Sequence, residues 1–431
     1  MTSPDRLWTL LWRAATAGTL GLVVAMALLS AFAAHPDEKD HVGAGEYYMR
    51  YWDPPAVGDE RARGAYSNYG VSYLNQLDAV YFFAGKFAVL ARPLVGQDHV
   101  ALRLFNVLLF ALLTAMAWSV PGRWRLALLP LYLTPQAWYV FSYFNGDALP
   151  LALSMGAVWL CAVRLASGSE SVGRGWVWGM GLLLGLLTVS KQNYYVYLVF
   201  FVAFWTMAAG ARRGLPGVGG REAWLALGLA ALIFGARYGA HLMVAAAQPP
   251  DAQHRLAEQM AAPEFKPSAQ VDGKGFWGSR MRSKGVTLAE MFTGEWKWHV
   301  FTFRSAFGKY GAMDVEAPLL FYRWIGRAAA VFGLAYAAAL LRAGMWARGA
   351  FALWFAFALL TVGQSLWHSW NNDFQSQGRY LFPILPMTGC VLALLGPELG
   401  RGRAWLWGLG AILWVMSAWS FTAVGLARIP C

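Results

Sequence analysis

The stretch WRAATAGTLGLVVAMALLSAFAAHPDEKDH, residues 12–41, decides the fold. No charge interrupts it from Ala14 to Ala34, long enough for a helix to cross a hydrocarbon layer about 30 Å thick. Four acids and bases, Asp37, Glu38, Lys39 and Asp40, then arrive within one turn, flanked by His35 and His41. Arg6 and Arg13 precede the apolar run, and Ala31-Phe32-Ala33 has the small-residue form of a signal-peptidase site. The run is long for a signal peptide, so the reading is an uncleaved first spanning helix.

Comparable runs recur throughout the 431 residues. Hydrophobic residues make up 58% of the chain, charged residues only 13%, and there are 23 Trp. Soluble domains carry about a quarter charged residues, so a soluble fold is excluded. The fold class expected is an all-α, polytopic transmembrane bundle of about eleven spanning helices, near 12–34, 98–120, 125–143, 147–166, 175–190, 193–210, 223–246, 318–341, 349–367, 380–397 and 404–427. The segment 74–94 is apolar, but Asp78 and Lys86 make burial in hydrocarbon costly. It reads as an amphipathic helix at the interface.

The net charge of +12 does not point to nucleic acid, because the arginines sit in short loops between apolar runs. With eleven spans, Arg6, Arg13, Arg123, Arg125, Arg164, Arg174, Arg212, Arg213, Arg221, Arg342, Arg348, Arg401 and Arg403 fall on one side. By the positive-inside rule that side is the cytoplasm. Cys161, Cys390 and Cys431 form neither a metal-ligand spacing nor a disulfide framework. No internal repeat is visible.

The polar residues that attract attention lie at the other face. Asp37 and Glu38 can act as general bases or hold a divalent cation, and read equally as solvated residues at a helix end. The Tyr-rich stretch 47–73 suits an interfacial belt and also headgroup or sugar contacts. Asn145-Gly146-Asp147 is a short turn in which Asp147 is expected to cap the following helix. Lys191, before Gln192, follows a short helix and is either recessed beside an anion or snorkelling to water. Arg237 lies well inside a helix with His241 one turn on, which suits phosphate or an internal ion pair. The last loop on this face runs from His368 to Gln377-Gly378-Arg379-Tyr380. Arg379 opens a helix, where a cation opposes the dipole unless an anion is near. Acid, base and cation types gathered on one face suit chemistry on a phosphate-linked substrate.

Four pieces carry a family resemblance: His35-Pro36-Asp37-Glu38 with His41, Asn145-Gly146-Asp147, Lys191, and Gln377-Gly378-Arg379-Tyr380 with Pro383. With the topology, they resemble the GT-C superfamily of membrane glycosyltransferases, and within it a bacterial branch. The resemblance implies a seven-helix module over 1–247, an outer loop over 248–317 and a variable four-helix part over 318–431. It implies a polyprenyl-phosphate-linked sugar donor, a lipid, glycan or protein acceptor, and inverting transfer on the extracytoplasmic face of a bacterial inner membrane. Asp37 is then the base, with Glu38 as its alternative. Lys191, Arg237 and Arg379 are the candidates for the donor phosphate, Arg237 on its depth alone. His35, His41, Asn145, Asp147, Gln192, His368, Gln377 and Tyr380 are the candidates for substrate contacts. No metal or other cofactor is expected. The rival readings are a transporter or flippase of lipid-linked saccharide, which needs a polar path to both faces, a polymerase or ligase using the same class of donor, and a non-catalytic assembly partner.

Overall fold

The computed structural model describes residues 3–168, 173–211, 215–270, 280–396, 398–400 and 402–431. Helix α1 (Ser3–Leu29) is followed by α2 (Glu38–Arg50), α3 (Val80–Val95) and α4 (Asp98–Ser119). A passage in 3-10 conformation (Gly122–Tyr132) and the short α5 (Pro135–Tyr139) lead to α6 (Ala148–Ser167), α7 (Arg174–Thr188), α8 (Tyr195–Gly210) and α9 (Arg221–Ala246). Helices α10 (Ala252–Met260), α11 (Glu290–Thr293) and α12 (Trp298–Gly308) and a hairpin of β1 (Lys309–Tyr310) and β2 (Val315–Glu316) fill the next connection. Then come α13 (Leu319–Arg342), α14 (Met345–Asn371), α15 (Ile384–Leu395) and α16 (Gly402–Trp419). Among the described residues, nine helices are long and apolar enough to cross a membrane. The chain is an all-α, multi-pass bundle.

Two of the eleven expected spans take another form. The fifth, α7, has only 15 residues. The segment expected as a straight helix over 125–143 is the 3-10 passage, a break at Leu133 and α5. Three prolines, Pro121, Pro130 and Pro135, remove backbone donors along it. It still links the far end of α4 to the start of α6 at the opposite end. Irregular backbone is tolerated at membrane depth only where protein covers it and meets its hydrogen bonds. Residues 126–132 are accordingly buried. Side chains reach the carbonyls: Trp138 Nε1 donates to Leu131 O (3.1 Å), Ser417 Oγ to Leu133 O (3.0 Å), and Asn106 Nδ2 to Tyr143 O (2.7 Å). Helix α15 lies so close that a Cβ at Gly389 would come 2.5 Å from Ala127 O.

Contacts at the ends show that successive segments alternate. Ala31 N donates to Pro430 O (2.8 Å), and Val57 N to Gln248 Oε1 (2.8 Å), at one end. Arg125 Nη1 donates to Thr9 Oγ1 (2.7 Å), and Trp159 Nε1 to Ser119 Oγ (2.8 Å), at the other. Helix termini place Arg164, Arg174, Arg221, Arg342, Arg348 and Arg403 at that second end with Arg123 and Arg125. The side chains of Arg6, Arg212, Arg213 and Arg401 lie outside what is described.

A buried guanidinium fixes the start of the first connection. Arg103, in α4, spends all five N–H groups within 3.1 Å. Nε and Nη2 hold the Glu38 carboxylate at 2.6 and 2.8 Å, while the remaining three donate to the carbonyls of Ala27, Ser30 and Ala31. Glu38 Oε2 also accepts from Ala33 N at 3.0 Å. Helices α1, α2 and α4 are joined here. The tyrosines expected as a surface belt partly join this interior. Tyr47 and Tyr48 are buried because α2 packs on α3.

Removing one member of a buried, hydrogen-bonded ion pair leaves an uncompensated charge, a cost of about 3–5 kcal/mol. Arg103→Met should lower stability by that order in thermal unfolding in detergent, and Glu38→Leu added to Arg103→Met should recover part of it. A single variant that melts with the unmodified protein would contradict the role given to this pair.

Candidate active site

At the end marked by Pro430, five separated segments converge. They are the turn 31–37, the start of α6, residue Lys191 after α7, the loop before α3, and the turn Gly378–Leu381 before α15. Asp37 precedes α2 with φ 56°, left-handed backbone that Asp adopts more readily than most residues. The same step that turns Glu38 inward to Arg103 turns the half-exposed Asp37 outward. Its carboxylate lies 3.5 Å from Arg379 Nη2.

Asp147 was expected to cap α6, but its side chain does not do so. Asn145 does that work: its Oδ1 accepts from the backbone N–H of Asp147 (2.8 Å) and Ala148 (3.2 Å), and its Nδ2 donates to the carbonyls of Val140 and Tyr143. The buried Asp147 carboxylate is thereby freed for cations. Lys191 Nζ donates to Oδ1 at 2.7 Å, and Arg379 Nη1 stands 3.6 Å from Oδ2.

Arg379 is buried, yet held loosely. Among the described residues it is 3.4 Å from Tyr143 OH, 3.5 Å from Asp37 and 3.6 Å from Asp147, and its Nε has no hydrogen-bond partner. Helix α12 sets its position. Gly378 N donates to Ser305 Oγ at 2.5 Å, and a Cβ at Gly378 would meet Ala306 Cβ at 2.5 Å. The Tyr380 ring lies 5.7 Å from Lys191 Nζ and 5.6 Å from the Arg379 guanidinium.

A family model described as a predicted membrane protein, DUF2142, matches residues 33–388, which contain every residue of this cluster. The chain belongs to the DUF2142 family. This DUF2142 protein is also similar to the crystal structure of ArnT from Cupriavidus metallidurans bound to undecaprenyl phosphate, at 13% identity and a TM-score of 0.48, over 92% of this chain and 62% of that one. Against the apo-state ArnT structure the values are 15% and 0.39, over 93% of this chain and 78% of that one. This chain thus spans less than two thirds of the length of the lipid-bound ArnT chain. No curated protein matches it significantly.

The remaining expected residues divide into four groups. His41 and Gln377 belong to the cluster. His41 Nδ1 shares a hydrogen bond with Tyr81 OH (2.8 Å), and its ring stacks on Tyr73 at 4.3 Å. Gln377 precedes the Arg379 turn with a buried Oε1 lacking a partner. His35, Asn145 and Glu38 are committed internally. His35 is bonded by Ser30 Oγ and Tyr139 OH, both at 2.7 Å, and stacks on Tyr143. Gln192 and His368 are exposed, and His368 Nδ1 is bonded to Asn372 (3.2 Å). Arg237 reaches only the edge of the cluster, at the loop before α3. It donates from Nη2 to Gln76 O (2.7 Å) and lines a pocket of about 220 Å³ with His241 and Gln248.

The sequence gives Tyr81 and Tyr143 no role, Tyr73 only a place in the Tyr-rich stretch, and Asp40 only a place in the charged turn. Asp78 was counted only as a charge too costly for a span. It lies just before α3, with one buried carboxylate oxygen unpartnered. Burial raises its pKa to about 7, against the pull of Lys191. Burial also raises Asp40, and the charge of Asp37 adds to the effect. Among the described residues no group of three or more His, Cys, Asp or Glu is placed to hold a metal ion.

Burial lowers His41 to about 3, with the charges of Lys191 and Arg379 adding to the shift and Asp147 opposing it. An unfolded histidine titrates near 6.5. The unfolded state therefore binds the proton first, and stability is complete above about 6.5 and falls as pH drops toward 3. At pH 5 the cost is on the order of 2 kcal/mol. Comparing melting at pH 7.5 and 5, the drop should be smaller in His41→Gln than in the unmodified protein. An equal drop would show that His41 is not held neutral.

Proposed function

We propose that this protein is a GT-C-type glycosyltransferase, moving a sugar from a polyprenyl-phosphate donor to a hydroxyl of a lipid, glycan or protein acceptor, with inversion. The observation that carries the reading is Arg379: a buried guanidinium with no oxygen partner closer than 3.4 Å among the described residues, beside a half-exposed carboxylate and a lysine. A guanidinium is a planar fork that suits phosphate. The motif resemblance supports the same assignment.

In this mechanism Asp37 accepts the proton of the acceptor hydroxyl as its oxygen attacks the anomeric carbon. The bond from that carbon to the phosphate oxygen breaks on the opposite face. Charge grows on the leaving phosphate, and Arg379 and Lys191 stabilise it. Asp147 positions both cations: it pairs directly with Lys191 at 2.7 Å and leaves Arg379, at 3.6 Å, short of a direct hydrogen bond. Tyr380, Gln377 and His41 line the place where the sugar would lie. Glu38 is not assigned the base, since both of its oxygens are engaged with Arg103. Arg237 is not assigned to the donor phosphate, since it opens into a different pocket. The arginines at the far end support an orientation with that end in the cytoplasm, and so an extracytoplasmic site in a bacterial inner membrane. No metal enters the proposal.

The test is sugar transfer in membranes supplied with a mixed pool of polyprenyl-phosphate sugars. Asp37→Asn should lower transfer by about 10²–10⁴, the usual contribution of a general base. Arg379→Lys should lower it by roughly 10²–10³, as loss of a preorganised charge stabiliser does, at equal expression and melting temperature. Undiminished transfer in Asp37→Asn would remove Asp37 as the base and turn attention to Asp40. No transfer from any donor by the unmodified protein would overturn the reading.

A further inference from the structure

At the end opposite the cluster, the first and last long helices border a groove. Helices α1 and α16 meet where Trp12 packs edge-on against Trp407 at 5.2 Å and where Trp414 Nε1 donates to Thr19 Oγ1 at 2.9 Å. Around these contacts lies a groove of about 970 Å³. Its floor is the 3-10 passage, through Leu129 and Tyr132, and its walls include Leu11, Ala15, Ala411 and Val415. Folded proteins rarely keep voids larger than a water molecule, and water gains little from apolar walls. In a bilayer, an acyl chain is the natural filling.

The mouth adds a charge requirement. Arg123, Arg125 and Arg403 all line it. Among the described residues no carboxylate lies within ion-pair distance of any of the three. Arg125 is aimed by two contacts, Nη1 to Thr9 Oγ1 at 2.7 Å and Nε to Val120 O at 3.0 Å. The Arg123 guanidinium lies 4.3 Å over Trp124. Three cations over an aromatic, apolar trough match a phosphate headgroup above acyl chains.

We propose that this groove is the seat of a resident anionic glycerophospholipid, headgroup on Arg123, Arg125 and Arg403, acyl chains between α1 and α16. A bilayer phospholipid is favoured over a polyprenyl phosphate because the cluster assigned to polyprenyl chemistry lies at the other end of the bundle. The preference over a polyprenyl phosphate rests on the transferase reading, whereas the requirement for an anionic headgroup over an apolar trough rests on the groove alone. The lipid would brace the two helices whose other ends meet where Ala31 N donates to Pro430 O, just before His35 and Asp37.

Native mass spectrometry of the purified protein with added phosphatidylglycerol, phosphatidylcholine or undecaprenyl phosphate tests it. Phosphatidylglycerol should be retained in preference to phosphatidylcholine. Arg123→Gln or Arg403→Gln should each weaken retention about fivefold, and both together roughly thirtyfold, the usual effect of losing cations beside anionic lipid. Ala411→Phe, which fills the trough and leaves the arginines in place, should also reduce retention. The lipid-free variants should fold normally, since Arg123, Arg403 and Ala411 are exposed. Equal retention of the two phospholipids, undiminished phosphatidylglycerol binding in the double variant, or its displacement by undecaprenyl phosphate would each overturn the proposal.

Discussion

The turn that presents Asp37 at the candidate site is arranged around the Arg103 guanidinium. A fully buried cation must have its donors met by oxygen, or the fold carries an unpaid desolvation cost. Arg103 meets that requirement by gathering the last carbonyls of α1 and the Glu38 carboxylate around one plane. Once Glu38 is held inward, the chain has little freedom over residues 31–37. Ala33 and Asp37 both take left-handed backbone to make the turn. Asp37 is then presented on the open side, next to the place where Arg379 arrives from the far part of the chain.

Arg379 is the counterpart with the opposite character. Both arginines are buried, but one is saturated and the other is surrounded at 3.4–3.6 Å by groups too distant for good hydrogen bonds. The difference lies in what positions each one. Arg103 is placed by its own bonds. Arg379 is placed by its backbone, through Gly378 against α12, and α12 is itself tied to the irregular passage by Thr134 donating to Ala306 O. The connection between α9 and α13 therefore supports the site from below. A guanidinium set in place by backbone contacts can stay underused without drifting toward the nearest carboxylate.

Much of this was legible in the sequence, and the failures have physical causes. Twenty-residue apolar runs announce spanning helices because length and hydropathy suffice; the two exceptions are 125–143, where covering protein permits an irregular passage, and α7, a regular helix of only 15 residues. The prolines at 121, 130 and 135 signalled the first exception. The gathering of Asp37, Asp147, Lys191 and Arg379 at one end followed from counting spans. The choice between Asp37 and Glu38 could not be read, because it is made by an arginine 65 positions away. The charge at Arg103 within an otherwise apolar run was the available signal. The Asp147 assignment failed for a related reason: capping is decided by which side chain reaches the free N–H groups, and Asn145, two residues earlier, reaches them first.

The distribution of unmet polar atoms completes the picture. Folded proteins leave few buried polar atoms without partners, and each one costs about 1–3 kcal/mol. In this chain several fall in or beside the cluster: Arg379 Nε, Asp147 Oδ2, Asp78 Oδ1, Gln377 Oε1, and both amide atoms of Asn193, two residues after Lys191. They include donors and acceptors, which is what a sugar phosphate needs, since its hydroxyls give and take hydrogen bonds while its phosphate only takes them. The saturated polar groups, Arg103, Glu38, His35 and Asn145, surround this unsaturated set and fix its geometry. Unmet atoms also occur elsewhere among the described residues, at Trp176, Thr302 and Tyr336 for example; those of the cluster are set apart because they come from four separate segments that meet at one end.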